Sequence, residues 1–347
     1  MTVKPLDSQS DIAAYKAQPD RLMSATHEEI LNGWTTDIYF LKTRDVLRRG
    51  GLLETPVVAE VFAREDGIFC GLEEVLTLFR QLPNPPHVEA IAEGESFKAK
   101  ETIMRITGTY ESFGIYETVL LGMLASATGW ATAARECVEA AEGRPVLCFG
   151  ARHVHPAVAP VMERAARKVG CAAVSCILAA KLCGEEPKGT VPHAAALIVG
   201  DTVKLAELYD AQVPAEEPRT ILVDTFNDET VEALRVAEAL GDRLASVRLD
   251  TPGERGGVTP ELVRELRWRL DMAGCNNVKI VATGGITPER IRILNEAGAD
   301  TYGVGSYIVS GCSRDMTMDL KMINGKPVAK RGRKPGLIEN PKLKRVL

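Results

Sequence analysis

The stretch Lys279-Ile280-Val281-Ala282-Thr283-Gly284-Gly285-Ile286-Thr287-Pro288 runs from a short apolar segment through a glycine pair into a Thr-Pro helix start. Thr301-Tyr302-Gly303-Val304-Gly305-Ser306, a little further on, closes another apolar segment on glycine and serine. Short apolar segments bounded by glycine are how strands read when both faces of a parallel sheet are covered. The threonine before the proline offers an N-cap, and proline suits the first helical position.

Outward from this point the same rhythm holds. Apolar runs at 146–149, 172–176, 220–224, 245–249, 279–282 and 301–304 alternate with helical stretches at 157–168, 202–209, 228–240, 260–272 and 288–297. Such alternation implies a parallel sheet with helical crossovers. The expectation is an α/β protein built on an irregular, TIM-like barrel over residues 131–315, with one or two units irregular or missing. A doubly wound open sheet is the alternative. Upstream the pattern differs. Strand-like residues at 56–62 and 95–108 flank an amphipathic helix at 72–82, and an uncharged stretch at 118–134 reads as a buried helix. Residues 1–130 are therefore expected to form a smaller N-terminal α+β domain. Residues 316–347 read as a hairpin about Asn324-Gly325 followed by a basic tail carrying Arg331, Arg333, Lys334, Lys342, Lys344 and Arg345.

Composition narrows the function classes. Hydrophobic residues make up 45% and charged residues 26% of the 347, an ordinary globular balance. The net charge of −5 argues against bulk electrostatic binding of nucleic acid, although the tail by itself is basic. Residues 1–22 lack the apolar core of a signal peptide, and 118–134 is too polar to span a membrane. Eight cysteines include no CxxC pair and no zinc-ligand spacing, so they read as reduced thiols of a cytoplasmic protein, with no metal site.

In a barrel the chemistry gathers at the C-terminal ends of the strands. Thr283, Gly284, Gly285, Gly305 and Ser306 stand there, in loops where glycine lets the backbone approach a phosphate closely. Arg248, Asp250 and Asp224 end two other apolar runs. Charges at such partly buried positions need partners. The two carboxylates suit ribose hydroxyls or Mg²⁺ and the arginine suits a phosphate, while a structural Arg–Asp pair explains them equally well. His193 precedes an apolar helix, where capping or packing is the commoner role.

Thr36-Asp37-x-Tyr39, Phe149-Gly150-x-Arg152 with His155-Pro156, Gly189-Thr190-x-x-His193, Arg248-x-Asp250, Gly303-Val304-Gly305-Ser306 and Ala329-Lys330-x-Gly332-Arg333 occur in this order. The ordered set resembles the nicotinate phosphoribosyltransferases, among the type II phosphoribosyltransferases. The resemblance implies a small N-terminal domain, an irregular barrel, and a homodimer or larger homo-oligomer whose partner subunit completes each active site. It implies nicotinate and phosphoribosyl diphosphate as substrates, Mg²⁺ as cofactor, and ATP as an optional co-substrate acting through His193. Tyr39 and Phe149 would then sandwich the pyridine ring, and Arg152 would face the carboxylate, with His155 nearby. Arg248 and Asp250 would hold the phosphoribosyl diphosphate, Asp224 would lie near the ribose or Mg²⁺, and the glycine loops would take the 5′-phosphate. Ala194 stands where the family usually has a polar residue after the histidine, which counts against ATP coupling. The rival within the fold is quinolinate phosphoribosyltransferase, whose usual Thr-Arg-Lys run is missing. The rival outside it is a non-catalytic phosphosugar-binding barrel.

Overall fold

The structure is a computed structural model that describes residues 4–17 and 21–347. In chain order its strands are β1 (Pro56–Ala63), β2 (Gly67–Ile68), β3 (His87–Ala90), β4 (Ser96–Phe97), β5 (Thr102–Thr109), β6 (Val146–Cys148) and β7 (Ala173–Val174). They continue with β8 (Arg219–Leu222), β9 (Leu244–Leu249), β10 (Lys279–Ala282), β11 (Thr301–Val304), β12 (Met316–Ile323), β13 (Lys326–Pro327) and β14 (Lys344–Arg345). The chain divides into two compact units, one taking residues up to Thr132 together with Cys312–Leu347, the other Ala133–Gly311.

The first unit holds an antiparallel sheet in the order β13-β12-β1-β5-β3-β14. The helix Leu72–Arg80 buries Leu72, Val75, Leu76, Leu78 and Phe79, the spacing of one helical face, while Glu73, Thr77 and Arg80 stay exposed. Each large apolar side chain so buried contributes roughly 1.5–3 kcal/mol. The stretch at 95–108 is not one strand. It breaks at Lys100, whose φ of +67° turns the chain between β4 and β5.

The C-terminal residues fold into this same sheet. Asn324 and Gly325, with φ of +49° and +72°, make the tight turn expected of Asn-Gly. β12 runs on to pair with β1 along its length, and β14 pairs with β3. Glu60, only 1% exposed, receives the Arg105 guanidinium at 2.8 Å and the Ile338 amide at 3.1 Å, so one buried carboxylate ties the last segment to the sheet centre. Several basic tail residues are spent internally. Lys342 pairs with Glu101 at 3.0 Å, and Arg333 pairs with Asp319 at 3.4 Å and lies over the Phe62 ring. Among the described residues no helix is long and apolar enough to cross a membrane.

In the second unit six parallel strands lie in the order β7-β6-β11-β10-β9-β8. Read from β8 the order is 8, 9, 10, 11, 6, 7, a sequential ring opened between β7 and β8. A doubly wound sheet would instead reverse direction at a switch point. The second unit is thus an α/β half-barrel of the TIM-like kind, and the break falls in its longest crossover. There the chain forms Ile177–Leu182, His193–Val199 and Thr202–Gln212, helices with no strand between them. In β9, Val247 and Leu249 are fully buried, while Ser246, Arg248 and Asp250 lie on the opposite, inner face. Register carries this alternation across the sheet. Arg248 lies beside Val281, and Thr220 beside Ser246, their hydroxyls 2.6 Å apart.

One carboxyl of the first unit is set against the fold. Glu117 begins the helix Glu117–Ala140, and burial, with Asp319 nearby, pushes its carboxyl up to about 7. Its folded value lies above its unfolded one, so between the two the native state keeps a proton that the unfolded state has lost. Stability therefore falls as pH rises through this window and levels off above it. Glu117→Gln is expected to raise Tm at about pH 8 and to change it little at about pH 5. Thermal melts at the two pH values check this, and an equal shift at both would show that the carboxyl charge is not the cause.

Candidate active site

The ends of β6, β9, β10 and β11 and the loops after them converge on one 370 Å³ cavity in the second unit. Arg248 stands in its floor, 14% exposed at the side chain. Its Nη2 donates to Asp250 at 2.6 Å, its Nε to Thr283 Oγ1 at 3.0 Å and its Nη1 to Thr190 Oγ1 at 2.9 Å. The guanidinium carbon lies 5.8 Å from the centre of the Phe149 ring. Residues i and i+2 of a strand share a face, which is why Arg248-x-Asp250 places both side chains at one mouth. Removing one member of a buried ion pair costs about 3–5 kcal/mol, so this arginine is also a structural post.

Asp224 lies just after β8. Its Oδ2 accepts the Asp250 amide at 3.2 Å and lies 3.2 Å from His193 Nε2. Burial pushes the Asp224 carboxyl up, and the neighbouring His193 pulls the other way. Its Oδ1 is buried without a hydrogen-bond partner. His193 begins the helix His193–Val199 and lines the cavity.

The glycine loops are built on close approach. A Cβ on Gly303 would meet the Phe149 ring and Thr283 Cγ2, each at 2.6 Å, so glycine alone lets the aromatic ring lie over β11. Gly284 has a φ of +84°, and a Cβ there would stand 2.9 Å from Asp250 Oδ1. No described hydrogen bond uses the amides of Gly284, Gly285, Gly305 or Ser306. All four residues line the cavity, as does Thr283, which donates its hydroxyl to Leu249 O at 2.8 Å. Amides grouped in this way suit an anion such as phosphate.

Arg152 also lines the cavity, on the single turn Ala151–His153, and makes no ion pair among the described residues. Its nearest polar contact is His153 Nε2 at 3.5 Å. His155 does not line the cavity. Its Nδ1 accepts the Ala157 amide at 3.1 Å, and His153 is the histidine of that pair that faces inward. Tyr39 belongs to the first unit, on the helix Ile38–Arg49, exposed and packed on Phe40 with ring centres 4.2 Å apart. Phe149 belongs to the second unit.

Sequence reasoning assigns no role to Ser175, Thr190 and His153, which line the cavity, or to Glu163, which does not. Of these Glu163 has a legible signal. It stands on the apolar face of the helix Ala159–Lys168, among Ala159, Met162 and Ala166, where a bare carboxylate needs donors. Among the described residues no cluster of three or more His, Cys, Asp or Glu could hold a metal ion.

Comparison with known proteins adds the family. The model of the quinolinate phosphoribosyl transferase N-terminal domain matches residues 37–128, and that of its C-terminal domain matches 130–319. The crystal structure of nicotinate-nucleotide pyrophosphorylase from Pyrococcus furiosus is 43% identical, with a TM-score of 0.85 over 90% of this chain and 81% of that one. A nicotinate phosphoribosyltransferase of Mycobacterium tuberculosis is 32% identical over 86% of this chain and 74% of its own length. A probable nicotinate-nucleotide pyrophosphorylase (carboxylating) of Methanothermobacter thermautotrophicus is 21% identical over 81% of this chain and 93% of its own. These findings correct the expectation of a nicotinate phosphoribosyltransferase. Both family models that match describe the quinolinate enzyme, and the P. furiosus structure, at higher identity than the mycobacterial relative, carries the pyrophosphorylase name. The TIM-like α/β architecture stands as expected, and the family is the one held as the rival: the chain belongs to the quinolinate phosphoribosyl transferase family.

Proposed function

We propose that the chain transfers phosphoribosyl from phosphoribosyl diphosphate to the ring nitrogen of quinolinate, with loss of carbon dioxide, giving nicotinate mononucleotide. The observation that carries this reading is the convergence on one cavity of unpaired Arg152, the Arg248–Asp250 pair and two glycine loops, all inside the matched C-terminal domain. Phosphoribosyl diphosphate is the substrate that the family shares.

In this reading the amides of Gly284, Gly285, Gly305 and Ser306 take the 5′-phosphate, and Arg248 faces the diphosphate. The ring nitrogen attacks C1 with its own lone pair as diphosphate leaves, so no general base is needed. Positive charge grows at C1, and the Asp250 carboxylate is the group placed to stabilise it. Arg152 grips one carboxylate of the acceptor through its planar fork, and His153 and His193 add donors for the second. Once the nitrogen carries the ribose it is quaternary and positive. Its positive charge then stabilises the electron pair that stays on the neighbouring carbon when carbon dioxide departs, and a proton taken up at that carbon replaces the lost carboxylate. Excluding water strengthens each of these electrostatic contacts.

Mg²⁺ commonly binds through one or two carboxylates together with substrate phosphates. Asp250 lines the cavity and Asp224, whose Oδ1 has no partner, lies buried behind it; these two carboxylates would hold the ion. The ion would offset the charge of the leaving diphosphate. A homo-oligomer belongs to the same proposal, and light scattering on the purified protein tests it.

The deciding assay supplies phosphoribosyl diphosphate and Mg²⁺ with quinolinate, nicotinate or nicotinamide, each with and without ATP. Quinolinate is expected to give nicotinate mononucleotide with equal amounts of diphosphate and carbon dioxide. Product from nicotinate alone, without carbon dioxide, would overturn the acceptor assignment. An ATP response lost in His193→Ala would give that histidine the coupling role. Arg152→Ala is expected to raise KM for the pyridine acid by about tenfold or more while KM for phosphoribosyl diphosphate stays within about twofold. An equal rise in both would remove Arg152 from the acceptor site. Asp250→Ala is expected to lower kcat by about a hundredfold or more with the fold retained by circular dichroism. Near-normal turnover would exclude it.

A further inference from the structure

We infer that Glu163, which the cavity does not touch, is a positioning residue that sets Arg152 against the rest of the site. The inference rests on the acceptor-binding role proposed for Arg152.

Glu163 is fully buried on the helix Ala159–Lys168. Its Oε1 accepts the Ala151 amide at 3.1 Å and the Ser175 hydroxyl at 2.8 Å, and its Oε2 accepts the Cys176 amide at 2.6 Å. One carboxylate thus joins the loop after β6 to the loop after β7. Both loops reach the cavity, the first through Ala151, Arg152 and His153, the second through Ser175.

These loops need an outside tether. β7 has two residues and lies at the open edge of the half-barrel, and the start of the loop beyond it is paired to β6 through the Ser175 amide, which donates to Cys148 O at 3.2 Å. Arg152 rides on the three-residue turn Ala151–His153, and no side chain caps it at Gly150. Such a turn leaves its first amides without intrahelical partners, and Glu163 accepts one of them. The packing leaves no slack. A Cβ on Gly150 would meet the Met162 methyl at 2.5 Å, so the loop sits directly on the helix that carries Glu163. Hydrogen bonds to a charged acceptor are roughly twice as strong as neutral ones, which suits a carboxylate here better than an amide. A shift of about 1 Å at a substrate-positioning group is enough to lower rates strongly.

Glu163→Gln keeps the shape but turns an amide N–H group toward one of the donors. Hydrogen exchange at the Ala151 and Cys176 amides is expected to quicken by about tenfold or more, with the rest of the half-barrel unchanged. KM for the pyridine acid is expected to rise about tenfold while KM for phosphoribosyl diphosphate holds within about twofold. Glu163→Asp keeps the charge and loses reach, so it should free one loop, show a smaller change in the same direction, and serve if the glutamine variant does not fold. Unchanged exchange at both amides, or an equal rise in both KM values, overturns the inference. Failure of the function reading would be seen separately, as no turnover of any pyridine acid by the unsubstituted enzyme. The exchange comparison would still decide whether Glu163 holds the loops.

Discussion

A single guanidinium organises the mouth of the half-barrel. Arg248 cannot stand near the interior without acceptors for its fork, and it finds them at Asp250, at the end of its own strand, and on two other segments, Thr283 after β10 and Thr190 in the long crossover. Phe149 after β6 lies against it as well. Residues on the β9 and β10 side of the site are linked through that arrangement. Thr283 is held so that the glycine pair after it turns back over Asp250, and Asp250 passes its own amide to Asp224, which meets His193. The desolvation that makes such a charge expensive also makes its contacts strong toward a phosphate-bearing ligand.

The opening of the ring between β7 and β8 gives the two sides of the mouth different support. On the side of β9, β10 and β11, adjacent parallel strands hold the loops, and Gly284, Gly303 and Gly305 leave no room for a Cβ. On the side of β6 and β7 the last strand is two residues long, and side-chain hydrogen bonds take over from backbone pairing. In the proposed function the first is the phosphate side and the second the acceptor side.

That division bears on what the sequence motifs can say about the acceptor. Two of the six motifs that carry the resemblance, Arg248-x-Asp250 and Gly303-Val304-Gly305-Ser306, lie on the β9 to β11 side, to which the proposed function gives the phosphoribosyl diphosphate. They cannot separate one pyridine acid from another. In the proposed function acceptor choice rests on the loop at 151–153, where Ala151-Arg152-His153 occupies a few residues and offers a guanidinium without an ion pair and a histidine. Matching the whole chain to family models weighs many more positions than that loop.

What the sequence determined by itself was the half-barrel and one half of its mouth. The period of the apolar runs set the parallel sheet, and the alternation of side chains along β9 put Arg248 and Asp250 on one face, because both arise from local geometry. Tertiary structure alone decided the rest. Which histidine of the 153 and 155 pair faces the cavity depends on a single turn whose direction no periodicity records. That the C-terminal residues complete the sheet of the first unit depends on β12 and β14 finding β1 and β3 across more than two hundred residues of chain. That Glu163 joins two loops depends on donors at Ala151 and Cys176 that the fold brings together from either side of it. Local pattern fixes which face a side chain takes, whereas the partner it meets there is a long-range contact, and only the folded chain supplies it.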